Sequence, residues 1–109
     1  IIQLIKNVLG PPIIDIFPVD QDVLSGADVS LYCGGYGDPP PKIIWRKNSV
    51  NVETSHRIKI DPVQGSGKLQ IISVTVEDAG KYECIYRNSF GEARREASLT
   101  VDGQTGTGQ

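Results

Sequence analysis

Two cysteines and one tryptophan constrain the fold of this chain more than any other residues. Cys33 and Cys84 lie 51 positions apart, and Trp45, the single tryptophan, follows the first cysteine by 12 positions. Because the sequence has only one histidine, two cysteines supply too few ligands for a zinc site. The sulfurs therefore form a disulfide bond or are a pair of buried thiols. A bridge over this loop would stabilise the chain by about 4 kcal/mol in the loop-entropy model.

Short alternating runs separated by turn residues predict an all-β fold. Val29, Leu31 and Cys33 occupy every second position, which is the pattern of a strand with one apolar face. Pro18 ends a β-rich run over residues 13–17 and predicts an edge strand that breaks and changes sheets. The 12 glycines and 7 prolines suit many turns. About eight strands and no convincing amphipathic helix indicate a two-sheet sandwich.

A set of residues over about positions 11–101 has a characteristic spacing, namely Gly26, Leu31, Cys33, Pro39, Trp45, Leu69, Ile71, Asp78, Gly80, Tyr82, Cys84, Asn88, Gly91, Leu99 and Val101. In this spacing the chain resembles an immunoglobulin domain of the intermediate set (I-set). The resemblance implies a Greek-key sandwich whose two sheets are joined by a Cys33–Cys84 disulfide covered by Trp45. The region 49–54 is too short for the two extra strands of antibody variable domains, so we expect no antigen-receptor function.

The same resemblance implies roles for several structural residues. Leu69 would enter the core, Gly80 would supply turn geometry, and the Tyr82 hydroxyl would bind the backbone near a corner between strands. Asp78 would pair with Arg57.

Tyr86 departs from the family pattern, because most members carry a small residue two positions after the second cysteine. A tyrosine at this position must repack the upper core or turn its hydroxyl to a polar partner.

Patterns that suggest catalysis or metal binding have simpler explanations here. His56 follows Ser55, but no third group at a useful spacing orients it. The glycine runs 34–37 and 65–67 are expected to be turns, because no helix follows them to bind a phosphate. Three aspartates near the N-terminus lack the spacing of a calcium loop, namely Asp15, Asp20 and Asp22. We therefore expect a non-enzyme with no metal and no cofactor.

Charge and hydropathy exclude two further kinds of partner. The net charge is −2, which argues against nucleic-acid binding. No run of about 18 apolar residues is present, so we expect no membrane insertion by this segment.

The alternation of three later strands predicts a protein-binding face. Seven side chains are expected to point outward together, with two exposed isoleucines framed by charged residues: Ile44, Arg46, Glu83, Ile85, Arg87, Arg94 and Glu96. The partner would be another protein or a neighbouring domain. The alternative is an ordinary surface, since single exposed apolar residues are common.

A sulfated glycan is a second candidate partner. Five cations would form its binding patch: Arg46, Lys47, Arg87, Arg94 and Arg95. The interspersed Glu83, Glu92 and Glu96 weaken the field of such a patch.

The expected setting is one recognition or adhesion domain of a larger extracellular or secreted protein. Residues 1–10 are interpreted as a linker or the end of a preceding segment, and residues 102–109 as a flexible tail rich in Gly, Thr and Gln. The absence of an initiating methionine fits a segment of a longer protein. The alternative is an intracellular, titin-like cytoskeletal domain acting as a spacer or docking site; the run 88–93 resembles that class, and no asparagine begins a glycosylation sequon.

Overall fold

The chain forms two β-sheets packed face to face. The computed structural model describes residues 9–61 and 66–103. Its strands are β1 (Gly10–Ile16), β2 (Gln21–Leu24), β3 (Val29–Asp38), β4 (Lys42–Lys47), β5 (Val50–Asn51), β6 (Ile58–Asp61), β7 (Ser66–Ile71), β8 (Gly80–Asn88) and β9 (Gly91–Asp102), with a 3-10 turn at Val76–Asp78. The first sheet has the order β1-β3-β7-β6 and the second β2-β9-β8-β4-β5. The predicted all-β sandwich is confirmed. Residues 1–8 of the predicted linker and 104–109 of the predicted tail lie outside the described residues.

The N-terminal edge changes sheets at the predicted proline. β1 pairs antiparallel with β3 in the first sheet, whereas β2 pairs parallel with β9 in the second. Pro18 lies between β1 and β2 and is buried. Because proline has no N–H and a fixed φ, it suits the break where the chain leaves one sheet for the other.

The core lies between the sheets around a disulfide bond. Cys33 of β3 and Cys84 of β8 are bonded, with their Cα atoms 6.6 Å apart, and the predicted disulfide is confirmed. Trp45 of β4 is directly opposite Cys84 in the β4–β8 register and is 2% exposed. Leu69 of β7 is fully buried in the same cluster. This arrangement places one large ring beside the bridge and excludes water from it.

The glycine run 34–37, predicted to be a turn, lies within β3, so that prediction was wrong. β3 continues to Asp38 because β1 lies against it at close range. A Cβ at Gly34 would lie 2.8 Å from Ile16 Cδ1, and one at Gly35 would lie 2.6 Å from the Ile13 carbonyl oxygen. The glycines are therefore sites of close strand approach rather than turn residues.

Tyr86 fills the space that Gly35 leaves on the inner side of β3. A Cβ at Gly35 would lie 3.0 Å from Tyr86 Cε2. The Tyr86 hydroxyl is buried and donates a 3.0 Å hydrogen bond to the Cys33 carbonyl oxygen. The residue that departs from the family pattern thus has both a packing partner and a polar partner.

The 3-10 turn before β8 is fixed by a polar cluster around Asp78. The Arg57 guanidinium donates Nη1 to Oδ2 at 3.2 Å and Nη2 to Oδ1 at 3.3 Å. The Thr75 amide donates to Asp78 Oδ2 at 2.8 Å, and the Tyr82 hydroxyl donates to the Asp78 carbonyl oxygen at 2.6 Å. Burial raises the pKa of Tyr82 to about 12. Gly80 has φ +155, and a Cβ there would lie 2.9 Å from the side chain of Asn48.

The Asp78 cluster predicts an acid-dependent loss of stability. Burial alone would raise the pKa of Asp78, but the hydrogen bonds from Arg57 and Thr75 and the charge of Arg57 outweigh it, so the pKa lies below its usual range. The folded state therefore binds this proton less readily than the unfolded state, in which the pKa of the carboxyl is about 4. The cluster's contribution to the free energy of unfolding is complete above that pH and disappears as the pH falls through the lower, folded-state pKa.

Urea unfolding at a series of acidic pH values measures this effect. We expect Asp78→Asn to show a smaller fall in the free energy of unfolding below pH about 4 than the wild-type chain. The control is Asp61→Asn, since Asp61 is exposed and makes no ion pair with another described residue. Equal acid dependence in wild type and Asp78→Asn would contradict the assignment.

Candidate protein-recognition face

Nine side chains form a three-by-three array on the side of the second sheet that faces away from the core. We call this array the outer face; its rows across β4, β8 and β9 are Lys42–Arg87–Glu92, Ile44–Ile85–Arg94 and Arg46–Glu83–Glu96. The structure thus brings together all seven residues predicted for a binding face. It adds Lys42 and Glu92, whose positions follow from the same alternation along β4 and β9.

Glu92 organises the charges on one side of the outer face. It accepts from Arg87 Nε at 2.6 Å and from Arg94 Nη2 at 2.8 Å. Arg94 also lies 3.7 Å from a Glu83 oxygen. The hydrogen bonds from Arg94 and Arg87 lower the pKa of Glu92, and the bond to Glu92 raises the pKa of Arg94. Because exposed ion pairs add little stability, the chief effect of this network is to hold the arginines in place.

The prediction that both isoleucines are exposed was wrong for Ile85. Ile85 is 0% exposed, although its side chain lies on the face opposite the core. It occupies the middle of the array, on a central strand between Ile44 and Arg94. Long side chains cover such a position with their aliphatic parts. Ile44 is half-buried and is the apolar residue of the array that remains accessible.

The five cations proposed as a glycan patch do not share one surface. Lys47 is opposite Tyr82 and Arg95 is opposite Cys84, so both side chains lie on the core-facing side of the second sheet. Neither belongs to the buried core cluster. The Lys47 ammonium donates to the Glu77 carbonyl oxygen, and the Arg95 guanidinium lies 4.4 Å from the centroid of the Phe17 ring. The prediction of a single basic patch was wrong, because two cations are on the other side of the sheet.

Two of the three acidic residues considered for calcium bind backbone or side-chain groups of β9 instead. Asp20 Oδ1 accepts from the Ser98 amide at 2.8 Å, and Asp22 Oδ1 accepts from the Thr100 hydroxyl at 2.8 Å. Within residues 9–61 and 66–103, no three His, Cys, Asp or Glu side chains cluster as metal ligands would. In the same part of the chain, no helix has the length and apolar character needed to cross a bilayer.

A two-sheet sandwich with an inter-sheet disulfide, a tryptophan beside it and a tyrosine bonded at the corner defines an immunoglobulin domain. The sequence matches the family model for the immunoglobulin I-set domain over residues 12–101. The chain belongs to the immunoglobulin I-set family.

Similar proteins come from two settings. The chain is 40% identical over 91 residues to the human peroxidasin homolog and 38% identical over 84 residues to human roundabout homolog 3. These matches cover 84% and 77% of this chain, and the chain spans about 6% of either relative. Among solved structures, the complex of titin M10 with obscurin-like 1 contains a domain 34% identical, with a TM-score of 0.80 over 84% of this chain and 94% of that one.

These findings bear on location and on catalysis. The relatives found by sequence are extracellular or membrane adhesion proteins. The disulfide fits the oxidising compartment in which such proteins are found. The titin-like structural neighbours correspond to the cytoplasmic alternative. The I-set domain is a non-catalytic fold.

Proposed function

We propose that this chain is a non-catalytic protein-recognition domain of a larger extracellular or secreted protein, and that it binds its partner through the outer face. The observation that carries the proposal is the set of three residues that β4 contributes to the outer face. Among them the half-buried Ile44 lies between two cations, Lys42 and Arg46, that make no ion pair with another described residue.

The chemistry of these three β4 residues indicates what a partner's surface would have to offer. Arg46 Nε donates to the Asn51 amide oxygen at 3.0 Å, which orients the guanidinium without neutralising it. Arg87 and Arg94 are already paired with Glu92, so Lys42 and Arg46 are the cations that a partner can neutralise. A complementary surface would place an apolar pocket over Ile44 and carboxylates on either side. Ile85 of β8 lies directly opposite Ile44 on the same face and is buried.

A binding assay on purified extracellular domains tests this proposal. The probe is an array of ectodomains that includes the domains flanking this segment in its parent chain, and the chain is presented as an oligomer so that weak contacts are detected. We expect Ile44→Asp to abolish the interactions and Arg46→Glu to weaken them at least tenfold.

The matched control is Lys59→Glu, which makes the same charge change on the first sheet, where Lys59 is exposed on β6. Interactions that survive Ile44→Asp, or that Lys59→Glu removes equally, would overturn the assignment of the face.

A structural spacer in a cytoskeletal protein is the second candidate. Four consecutive residues of β2 pair parallel with β9, from Gln21 opposite Leu99 to Leu24 opposite Asp102. A force that pulls the two ends of the domain apart would act along both strands, so the hydrogen bonds between β2 and β9 would resist it together, in shear. The state of Cys33 and Cys84 in the natural protein separates this candidate from the first.

A further inference from the structure

Four large side chains on the first sheet face away from the core and are more than half exposed. Ile13 and Ile16 belong to β1, and Tyr32 and Tyr36 belong to β3; their exposed fractions are 52%, 53%, 54% and 53%. We call these four residues the apolar strip. It lies on the opposite side of the sandwich from the outer face.

The strand register makes the apolar strip continuous. Ile13 is opposite Tyr36, and Ile16 is opposite Gly34, which lies between the two tyrosines on β3. Since a Cβ at Gly34 would lie 2.8 Å from Ile16 Cδ1, the isoleucine occupies the space between the tyrosines. A contiguous apolar surface of this kind usually marks an interaction site.

Opposite charges flank the apolar strip. Asp15 lies in the β1 irregularity between Ile14 and Ile16 and is exposed. Lys68 of β7 is opposite Tyr32, on the other side of the strip. Asp15 interacts electrostatically with Tyr86, and the exposed Asp61 of β6 is the cross-strand neighbour of Lys68. Neither Asp15 nor Lys68 makes an ion pair or a side-chain hydrogen bond with another described residue. A partner can therefore still pair with either charge.

We propose that the apolar strip is the interface of a weak homodimer, in which Asp15 of each copy faces Lys68 of the other. A two-fold interface buries the same patch on both copies, so the patch must be complementary to itself. An apolar centre with an acid on one side and a base on the other meets this requirement. Tyrosines suit the centre, because their rings bury area while the hydroxyls remain hydrated.

The size of the apolar strip limits the strength of the dimer. Four half-exposed side chains and two flanking charges are a contact at the small end of specific interfaces, so dissociation in the micromolar to millimolar range is expected. The inference does not depend on the proposed function, because the two surfaces belong to different sheets.

Charge exchange across the interface tests the homodimer. Sedimentation equilibrium of the whole chain from micromolar to millimolar concentration should show reversible dimerisation. We expect Asp15→Lys and Lys68→Asp each to lower the association constant at least tenfold, because each places like charges together. The double variant Asp15→Lys plus Lys68→Asp should recover most of the wild-type association.

Two further variants test the contribution of the apolar centre and the effect of a charge change outside the interface. Tyr36→Ser should abolish dimerisation by removing central apolar area, and Lys59→Asp, which changes the same charge on the edge strand β6, should leave it unchanged. Unchanged urea unfolding by each variant would show that the fold is intact.

A chain that stays monomeric throughout the concentration range overturns the inference. A dimer that Lys68→Asp leaves intact, or that Ile44→Asp disrupts instead, also overturns it. So does binding of a flanking domain of the parent chain to the strip while the isolated chain stays monomeric.

Discussion

Replacing Cys33 and Cys84 together with alanine is expected to lower the free energy of unfolding by about 4 kcal/mol. The bond joins β3 to β8 across the two sheets and closes a loop with a sequence separation of 51. Without it the unfolded chain gains conformational freedom, while the folded chain loses two sulfurs that are at most 1% exposed. Since a domain has a total stability of about 5–15 kcal/mol, this loss is a large fraction of the whole.

Urea unfolding followed by tryptophan fluorescence measures the effect of the double replacement, because Trp45 is the single tryptophan and is buried beside the bridge. The control is the wild-type chain unfolded in urea with a reducing agent present, which breaks the bond without adding atoms to the core and should show a similar loss. A loss below about 1 kcal/mol in the alanine variant would contradict the stabilising role of the disulfide.

Ile85→Asp is expected to destabilise the domain by more than about 3 kcal/mol. The change removes an apolar side chain that is 0% exposed and puts a carboxylate in its place. The two neighbours across the strands are Ile44, which offers no polar group, and Arg94, which is already bonded to Glu92. Urea unfolding measures the loss.

Ile44→Asp is the matched control, since it makes the same replacement one strand away. Ile44 is half-buried and next to solvent, so we expect a loss of about 1 kcal/mol or less. If the two variants were equally stable, Ile85 would not be enclosed as the structure shows. The contrast also decides which isoleucine is usable in binding assays, because loss of binding by Ile85→Asp would reflect unfolding.

Residue spacing was sufficient to predict the sandwich and its disulfide. Cys33, Trp45 and Cys84 have fixed partners in this fold, and few other folds place these residue types at these separations. Pro18 likewise predicted the change of sheet, because the effect of proline on a strand is local.

The strand over residues 34–38 could not be predicted in the same way. Its glycines have the composition of a turn, and their role depends on how closely Ile13 and Ile16 of β1 approach. That approach is a contact between segments about 20 residues apart, which local composition does not report.

Alternation predicted which side of the sheet each residue of the outer face occupies, but not how much of it is exposed. Ile44 and Ile85 share one face, yet Ile85 is covered and Ile44 is accessible, because one is on a central strand and the other is nearer the sheet edge. The apolar strip was missed because its members come from two strands whose register depends on an irregularity at Asp15.

Titration of free thiols in the natural protein, denatured without reductant, tests the account most directly. An extracellular recognition domain joined across its sheets should yield zero reactive thiols from positions 33 and 84. Two reactive thiols would contradict the extracellular assignment and favour the cytoskeletal spacer.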